Sequence, residues 1–178
     1  MRQLRIIAVI AVAVAACSSG SLNDADIEFL QGMIPHHNQA VEMAELVGDA
    51  TDRTELIDLA DRIVATQSEE ITLMSGLLAD AGMDPTAPGM DGMEHDNTPM
   101  MDGMMTGQGM TELGGMAGVD FDVMFAEAMI AHHQGAISAA QTVLTDGSDP
   151  EVARLAQAVI DAQTAEIDEL TAWLGEWR

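Results

Sequence analysis

The chain has 178 residues, with 6 Lys or Arg against 30 Asp or Glu and a formal net charge of −24. That length suits one domain, or two small halves folded as a unit, and an apolar content of 48% excludes wholesale disorder. A surface this acidic, without a single Lys, cannot neutralise a phosphate backbone; nucleic acid is excluded as a partner and cations become the natural ligands. Aromatic residues reach only 3%, with no Tyr, and a core of Ala, Leu, Ile, Val and Met is the usual filling of packed helices.

Residues 1–16 read as a signal peptide. Arg2 and Arg5 precede an apolar run from Ile6 to Ala16, too short for a permanent membrane helix. Val14-Ala15-Ala16-Cys17 resembles the lipobox of bacterial lipoproteins, in which the Cys is lipidated and becomes the mature N-terminus. The alternative is an ordinary cleaved signal with a stray Cys. Lipidation of Cys17 would consume the only thiol, leaving no disulfide, Cys nucleophile or thiolate metal site. The expectation is a protein outside the cytoplasmic membrane, held by acyl chains on a tether, 17–23, and not by a spanning helix.

The rest of the chain is a duplication. Residues 26–78 align without a gap onto 122–174, with 16 identities in 53 positions. The strongest block, Phe29, Met33, Ile34, His36, His37, Ala40, Ala44 and Val47, returns as Phe125, Met129, Ile130, His132, His133, Ala136, Ala140 and Val143. Each copy reads as two helices. Ile27, Leu30, Ile34, His37, Val41 and Ala44 fall at steps of three and four, as do Val123, Ala126, Ile130, His133, Ile137, Ala140 and Leu144. The partner helices carry Leu56, Ala60, Ile63, Gln67, Ile71, Met74 and Leu78, and Val152, Ala156, Val159, Gln163, Ile167, Leu170 and Leu174. Gly48–Asp52 breaks the first pair. In the second break, Ser148 and Glu151 are positioned for a capping box with Pro150 in the first turn. Pro35 should kink the first helix locally. The fold class is therefore all-α: a four-helix bundle of two antiparallel helical hairpins, 24–81 and 120–178.

A linker, 82–119, separates the copies. Between Met83 and Met116 lie 9 Met, 7 Gly and 3 Pro, a density that argues against stable helix and for a flexible segment. Met90, Met93, Met100, Met101, Met104 and Met105, with His95, place several soft donors within one short reach. A low-complexity spacer or a sacrificial oxidant scavenger would look similar.

The polar residues on apolar helix faces carry the chemistry. His36 and His37 sit about 100° apart on one helix, so both fit a broad inward face, with Met33 one turn away. Met129, His132 and His133 repeat the arrangement. Gln67 and Glu70, and Gln163 and Glu166, come roughly level with the His pairs on the partner helices; they, with Asp26 and Asp122, are candidates to orient the imidazoles. A buried polar layer that merely fixes helix register is the plainer reading. Four His beside Met at ligand spacing favour a metal instead: imidazole suits several transition metals, and thioether selects soft ions, Cu(I) above all and also Ag(I). A di-iron site would need Glu three residues before each His, where this chain has Met33 and Met129, so that template is half met.

Met33-Ile34-Pro35-His36-His37 and Met129-Ile130-Ala131-His132-His133 resemble the bacterial "domain of unknown function 305" family over both repeats. The resemblance implies a ferritin-like helical bundle. It also implies kinship with extracytoplasmic proteins that bind copper through Met and His and are associated with copper resistance. Carried over by position, it points to Met33, His36, His37, Met129, His132 and His133 as ligands, with Met43 an asymmetric addition because Ala139 is its counterpart. The leading expectation is a non-enzymatic, lipid-anchored protein that sequesters or hands over Cu(I), in contact with metal ions, the membrane through its lipid and an unidentified delivery or acceptor protein. The alternatives are a ferritin-like metal oxidase and a structural envelope lipoprotein.

Overall fold

A computed structural model describes residues 21–85 and 101–177; the signal peptide, Cys17, and the linker residues Met90, Met93, His95 and Met100 lie outside the described residues. The described chain is all-helical: α1 (Asp24–Glu45), α2 (Val47–Ala50), α3 (Thr54–Asp80), α4 (Gly107–Gly114), α5 (Gly118–Asp146) and α6 (Pro150–Trp177). Among the described residues no helix is long and apolar enough to cross a membrane.

Local chemistry sets the helix ends. At the start of α1 the Asn23 side chain accepts from the Asp26 N–H and the Asp26 carboxylate accepts from the Asn23 N–H, each at 2.9 Å. α1 then runs uninterrupted through Pro35. At α6 the expected Ser148/Glu151 box is replaced. Asp149 Oδ1 accepts from the N–H groups of Glu151 (2.8 Å) and Val152 (3.2 Å), with Pro150 at the first helical position. The Ser148 hydroxyl, one residue before this cap, donates to Asp26 at 3.1 Å.

α1 packs along α3, α5 along α6, and α1 against α5. The Asn23 side chain donates to the Asp146 carbonyl at 2.9 Å, which sets the start of α1 beside the end of α5, so the two run antiparallel. The buried face of α1 is broad and takes in both His stripes: Phe29, Met33, His36, Ala40 and Met43 are buried, as are Leu30, His37 and Ala44, while Ile27, Ile34 and Val41 at its edge are only half-buried. On α5 the line is Phe125, Met129, His132, Ala136 and Ala140 with Phe121, and Leu144 is exposed. Each of these helices touches two neighbours, so its buried face centres between them rather than on the most apolar positions.

The core forms two clusters along the α1–α5 contact. One gathers Met43, Leu56, Ile63, Phe121, Phe125, Met129 and Leu170; the other gathers Phe29, Met33, Met74, Leu78, Ala136, Val152 and Val159. The expectation of no stable helix between Met83 and Met116 is corrected by α4. The Thr106 hydroxyl caps it by accepting from Gly109 N–H at 3.1 Å, and Leu113, fully buried, anchors it. A cap and one tertiary anchor outweigh the low propensity of its three Gly.

Candidate metal centre

α1 and α5 cross where their His pairs meet. His36, His37, His132 and His133 are all fully buried, and the rings of His36 and His132 approach to 3.7 Å between centroids at an interplanar angle of 37°. The outer imidazoles are held from the partner helices. His37 Nε2 lies 2.8 Å from Glu70 Oε2, and His133 Nε2 lies 2.7 Å from Glu166 Oε2. A carboxylate only accepts, so Nε2 carries the proton, and in the neutral ring the lone pair then resides on Nδ1. Both of those Nδ1 atoms are buried and, among the described residues, without a hydrogen-bond partner.

The central pair is more exceptional. Among the described residues, neither ring nitrogen of His36 or of His132 has a partner in regular hydrogen-bond geometry. Burial pushes the His36 pKa down from its ordinary 6.5 to about 3; His37 and, more weakly, His133 push the same way, and the nearby Asp102 backbone offsets part of the drop. Burial likewise lowers His132 to about 2, with His36, His133 and His37 adding to it and the His36 backbone opposing. Both rings are thus neutral at any physiological pH, with lone pairs available to a cation. An orphaned buried polar group costs about 1–3 kcal/mol, and the side-chain amides of Gln67 and Gln163 add to the set.

The donors suit a soft ion better than a hard one. Among the described residues no three His, Cys, Asp or Glu converge as a metal-holding group. Glu70 and Glu166 are engaged with imidazoles, and the positions one turn before His36 and His132 carry the thioethers of Met33 and Met129, both fully buried. A carboxylate-bridged di-iron set does not fit these residues. Imidazole with thioether fits Cu(I) or Ag(I), which accept few, soft ligands.

Not every residue expected here comes to the layer. Met43 is fully buried two turns beyond His36, in the apolar cluster with Leu56 and Phe121. Asp26 and Asp122 stand ten residues before His36 and His132, about 15 Å along each helix, and hold turns instead. Of the linker donors, Met101, Met104 and Met105 are half-buried.

Four residues at the centre escaped the sequence reading. Gln39 clamps the backbone of Met105: its Oε1 accepts from Met105 N–H at 2.7 Å and its Nε2 donates to Met105 O at 2.9 Å. On the other side the chain at Asp102 and Gly103 lies directly on α5. A Cβ on Gly135 would collide with the Asp102 carbonyl, and one on Gly103 (φ 85°) with the Ala131 carbonyl. The repeat alignment held the signal. Gln39 and Gly135 are equivalent positions inside the most strongly repeated block, and they differ.

Residues 26–174 match the family described as Domain of unknown function (DUF305). A DUF305 fragment from Deinococcus radiodurans is similar, at 27% identity and a TM-score of 0.77, over 88% of this chain and 99% of that one. A DUF305 protein from Streptomyces coelicolor described, by inference, as secreted is similar at 30% identity and a TM-score of 0.76, over 86% and 93% of the two chains. CopM in its Cu(II)-bound form is 33% identical with a TM-score of 0.74, over 86% of this chain and 97% of that one, and CopM is also solved in Cu(I)-bound and Ag-bound forms. An uncharacterized protein of Acanthamoeba polyphaga mimivirus is 36% identical over 53 residues, a match spanning 30% of this chain and only 35% of that protein. The chain belongs to the DUF305 family.

Proposed function

We propose that this protein binds a soft monovalent metal, Cu(I) and also Ag(I), at the crossing of α1 and α5, and that it sequesters or transfers that ion outside the cytoplasm while anchored through Cys17. One observation carries the reading. His36 and His132 face each other at 3.7 Å, fully buried and held neutral, and among the described residues none of their ring nitrogens has a partner in regular hydrogen-bond geometry. Such a pair is costly as packing and useful as a ligand set. His37 and His133 add Nδ1 donors whose tautomer Glu70 and Glu166 fix, and Met33 and Met129 supply thioethers one turn away. The architecture that presents them is a ferritin-like four-helix bundle, with α1–α3 and α5–α6 as its duplicated hairpins. Kinship with CopM, solved with Cu(I) and Ag, supports the choice of metal. The described Met101, Met104 and Met105, with Met90, Met93, His95 and Met100, form a weaker collecting arm.

The test is an anaerobic Cu(I) titration of the soluble chain 18–178 against a competing chelator. Replacing His36, His37, His132 and His133 together by Ala removes the tightest site, with circular dichroism checking that helix is retained. Unchanged stoichiometry and affinity in that variant would reject the assignment.

A further inference from the structure

The segment Met101–Met105 passes over the His36–His132 contact as a strap. It reaches α1 at both ends. The Met101 methyl group would lie 3.1 Å from a Cβ on Gly32, one turn before His36, and Gln39, three residues after His36, holds the Met105 backbone by two hydrogen bonds. Between those ends it rests on α5, where Asp102 and Gly103 meet Gly135, Ala131 and the backbone of His132. Asp102 and Gly103 are exposed, whereas His36 and His132 beneath them are fully buried. A single thickness of chain therefore separates the imidazole pair from solvent on this side.

The two docking points are chemically different, and neither belongs to the symmetry of the repeats. Gln39 is a bidentate backbone clamp of the kind that a half-exposed helix surface does not otherwise need. At the equivalent position, Gly135 lacks the Cβ that would collide with the Asp102 carbonyl. Gly in the middle of a helix costs about 1 kcal/mol relative to Ala, so its presence in α5 is explained by the strap and not by the helix. Gly76, inside α3, has open space at the same test and carries no such burden.

We infer that the strap Met101–Met105 is the removable lid of the imidazole pair, latched by Gln39 and seated by Gly135, and that the metal enters and leaves by its displacement. The inference rests on the metal-binding reading for its cargo but not for its geometry. Gln39 and Gly135 are positioning residues: they act on exchange, through the strap, and leave the imidazoles in place.

The experiment compares wild-type protein with Gly135→Ala, Gln39→Ala and the control Gly76→Ala. Gly135→Ala adds a favoured helix residue while expelling the strap, so α5 is retained. The first readout needs no metal: acylation of His36 and His132 by diethyl pyrocarbonate in the apoprotein, followed by mass spectrometry. Gly135→Ala and Gln39→Ala accelerate it about tenfold or more, and Gly76→Ala leaves it unchanged. The second is stopped-flow transfer of Cu(I) to a chelator, which quickens by a similar factor while the equilibrium affinity changes less than about threefold. Equal acylation rates in wild type and both strap variants overturn the lid. Faster acylation with unchanged metal exchange overturns the route. If the wild-type protein fails to bind Cu(I), the functional reading falls, and the acylation rates still decide whether the strap covers the imidazoles.

Discussion

Asp26 and Asp122 occupy equivalent positions in the two repeats, and each holds the turn that joins the helices of the other. Asp26 on α1 accepts from the N–H groups of Ser148 and Asp149, at 3.1 and 3.2 Å, in the turn between α5 and α6. Asp122 on α5 takes the Arg53 guanidinium at 2.6 Å, just before α3, and that guanidinium also lies 4.6 Å from the Trp177 ring centroid. Arg53 and Asp149 are themselves equivalent in the alignment. Nearly the same exchange is thus made twice, once through backbone donors and once through a side chain.

Asymmetry in the donors predicts asymmetry in the variants. Asp26→Ala removes one half of the α1 capping box, the Asn23 side chain still accepting from the backbone at 26, and leaves the N–H groups of Asn23, Ser148 and Asp149 without their acceptor, a loss of about 3 kcal/mol. Asp122→Ala costs less, about 1–2 kcal/mol, since the partly exposed Arg53 keeps water and the Trp177 face. Urea unfolding of the two variants checks the order. A larger loss for Asp122→Ala would show that the Arg53 contact is the stronger of the two.

The Glu70 and Glu166 carboxylates bind the Nε2 atoms of His37 and His133 and so set which nitrogen is free. Glu70→Gln with Glu166→Gln keeps shape and removes the obligatory acceptor, allowing the amide to present its NH2 and the ring to change tautomer. Cu(I) affinity is expected to fall about 10–100-fold, with helix content unchanged. Imidazole nitrogen chemical shifts would report the tautomer directly. Loss of affinity without a tautomer change would assign the two Glu to the charge of the site instead.

The His pairs, the level of Glu70 and Glu166, and the all-helical fold were legible because each is written as a repeated pattern at helical spacing. The stripe through Met33 and His36 was legible, but the edges of the buried face were not. Position within a helix shows which residues are apolar but not which two neighbours the helix will face, so Ile27 and Ile34 end up marginal. Asp26 and Asp122 share the inward stripe with the His residues, which is why they read as partners of the imidazoles; the rise of the helix carries them a further 15 Å or so away. The strap was invisible for another reason. Gly103 and Gly135 are permissive residues whose purpose lies in what lies against them, across about thirty residues of sequence. Only the mismatch of Gln39 with Gly135 marks the place.

Acid should destabilise the metal-free protein before its carboxylates titrate. His36 and His132 have folded-state pKa values near 3 and 2 against 6.5 in the unfolded chain. Between those limits the unfolded state binds more protons, so stability is full above about pH 6.5 and declines as pH falls. By pH 5 each ring removes on the order of 2 kcal/mol. Chelator-treated protein should therefore show a clear drop in its urea midpoint from pH 7 to pH 5. The drop shrinks when His36→Leu and His132→Leu are combined. An identical pH dependence in that variant would mean that other groups carry it.

Met33 and Met129 separate a ligand from a packing residue. Each is fully buried and belongs to an apolar cluster, so core packing alone accounts for a large side chain at both positions. Leu is close to Met in volume, and such exchanges usually cost less than about 1.5 kcal/mol. If the thioethers are merely filling, Met33→Leu with Met129→Leu leaves Cu(I) binding as it was. If they are donors, affinity falls by at least about tenfold per thioether, a difference of 1.4 kcal/mol or more that is unrelated to the small change in unfolding free energy. X-ray absorption at the copper edge supplies the independent reading, since sulfur scatterers present in the wild-type complex must disappear from the variant. Ag(I), with its stronger preference for sulfur, should lose more affinity than Cu(I) in the same protein. An equal or smaller loss for Ag(I) would leave the imidazoles as the principal donors and return both Met residues to the core.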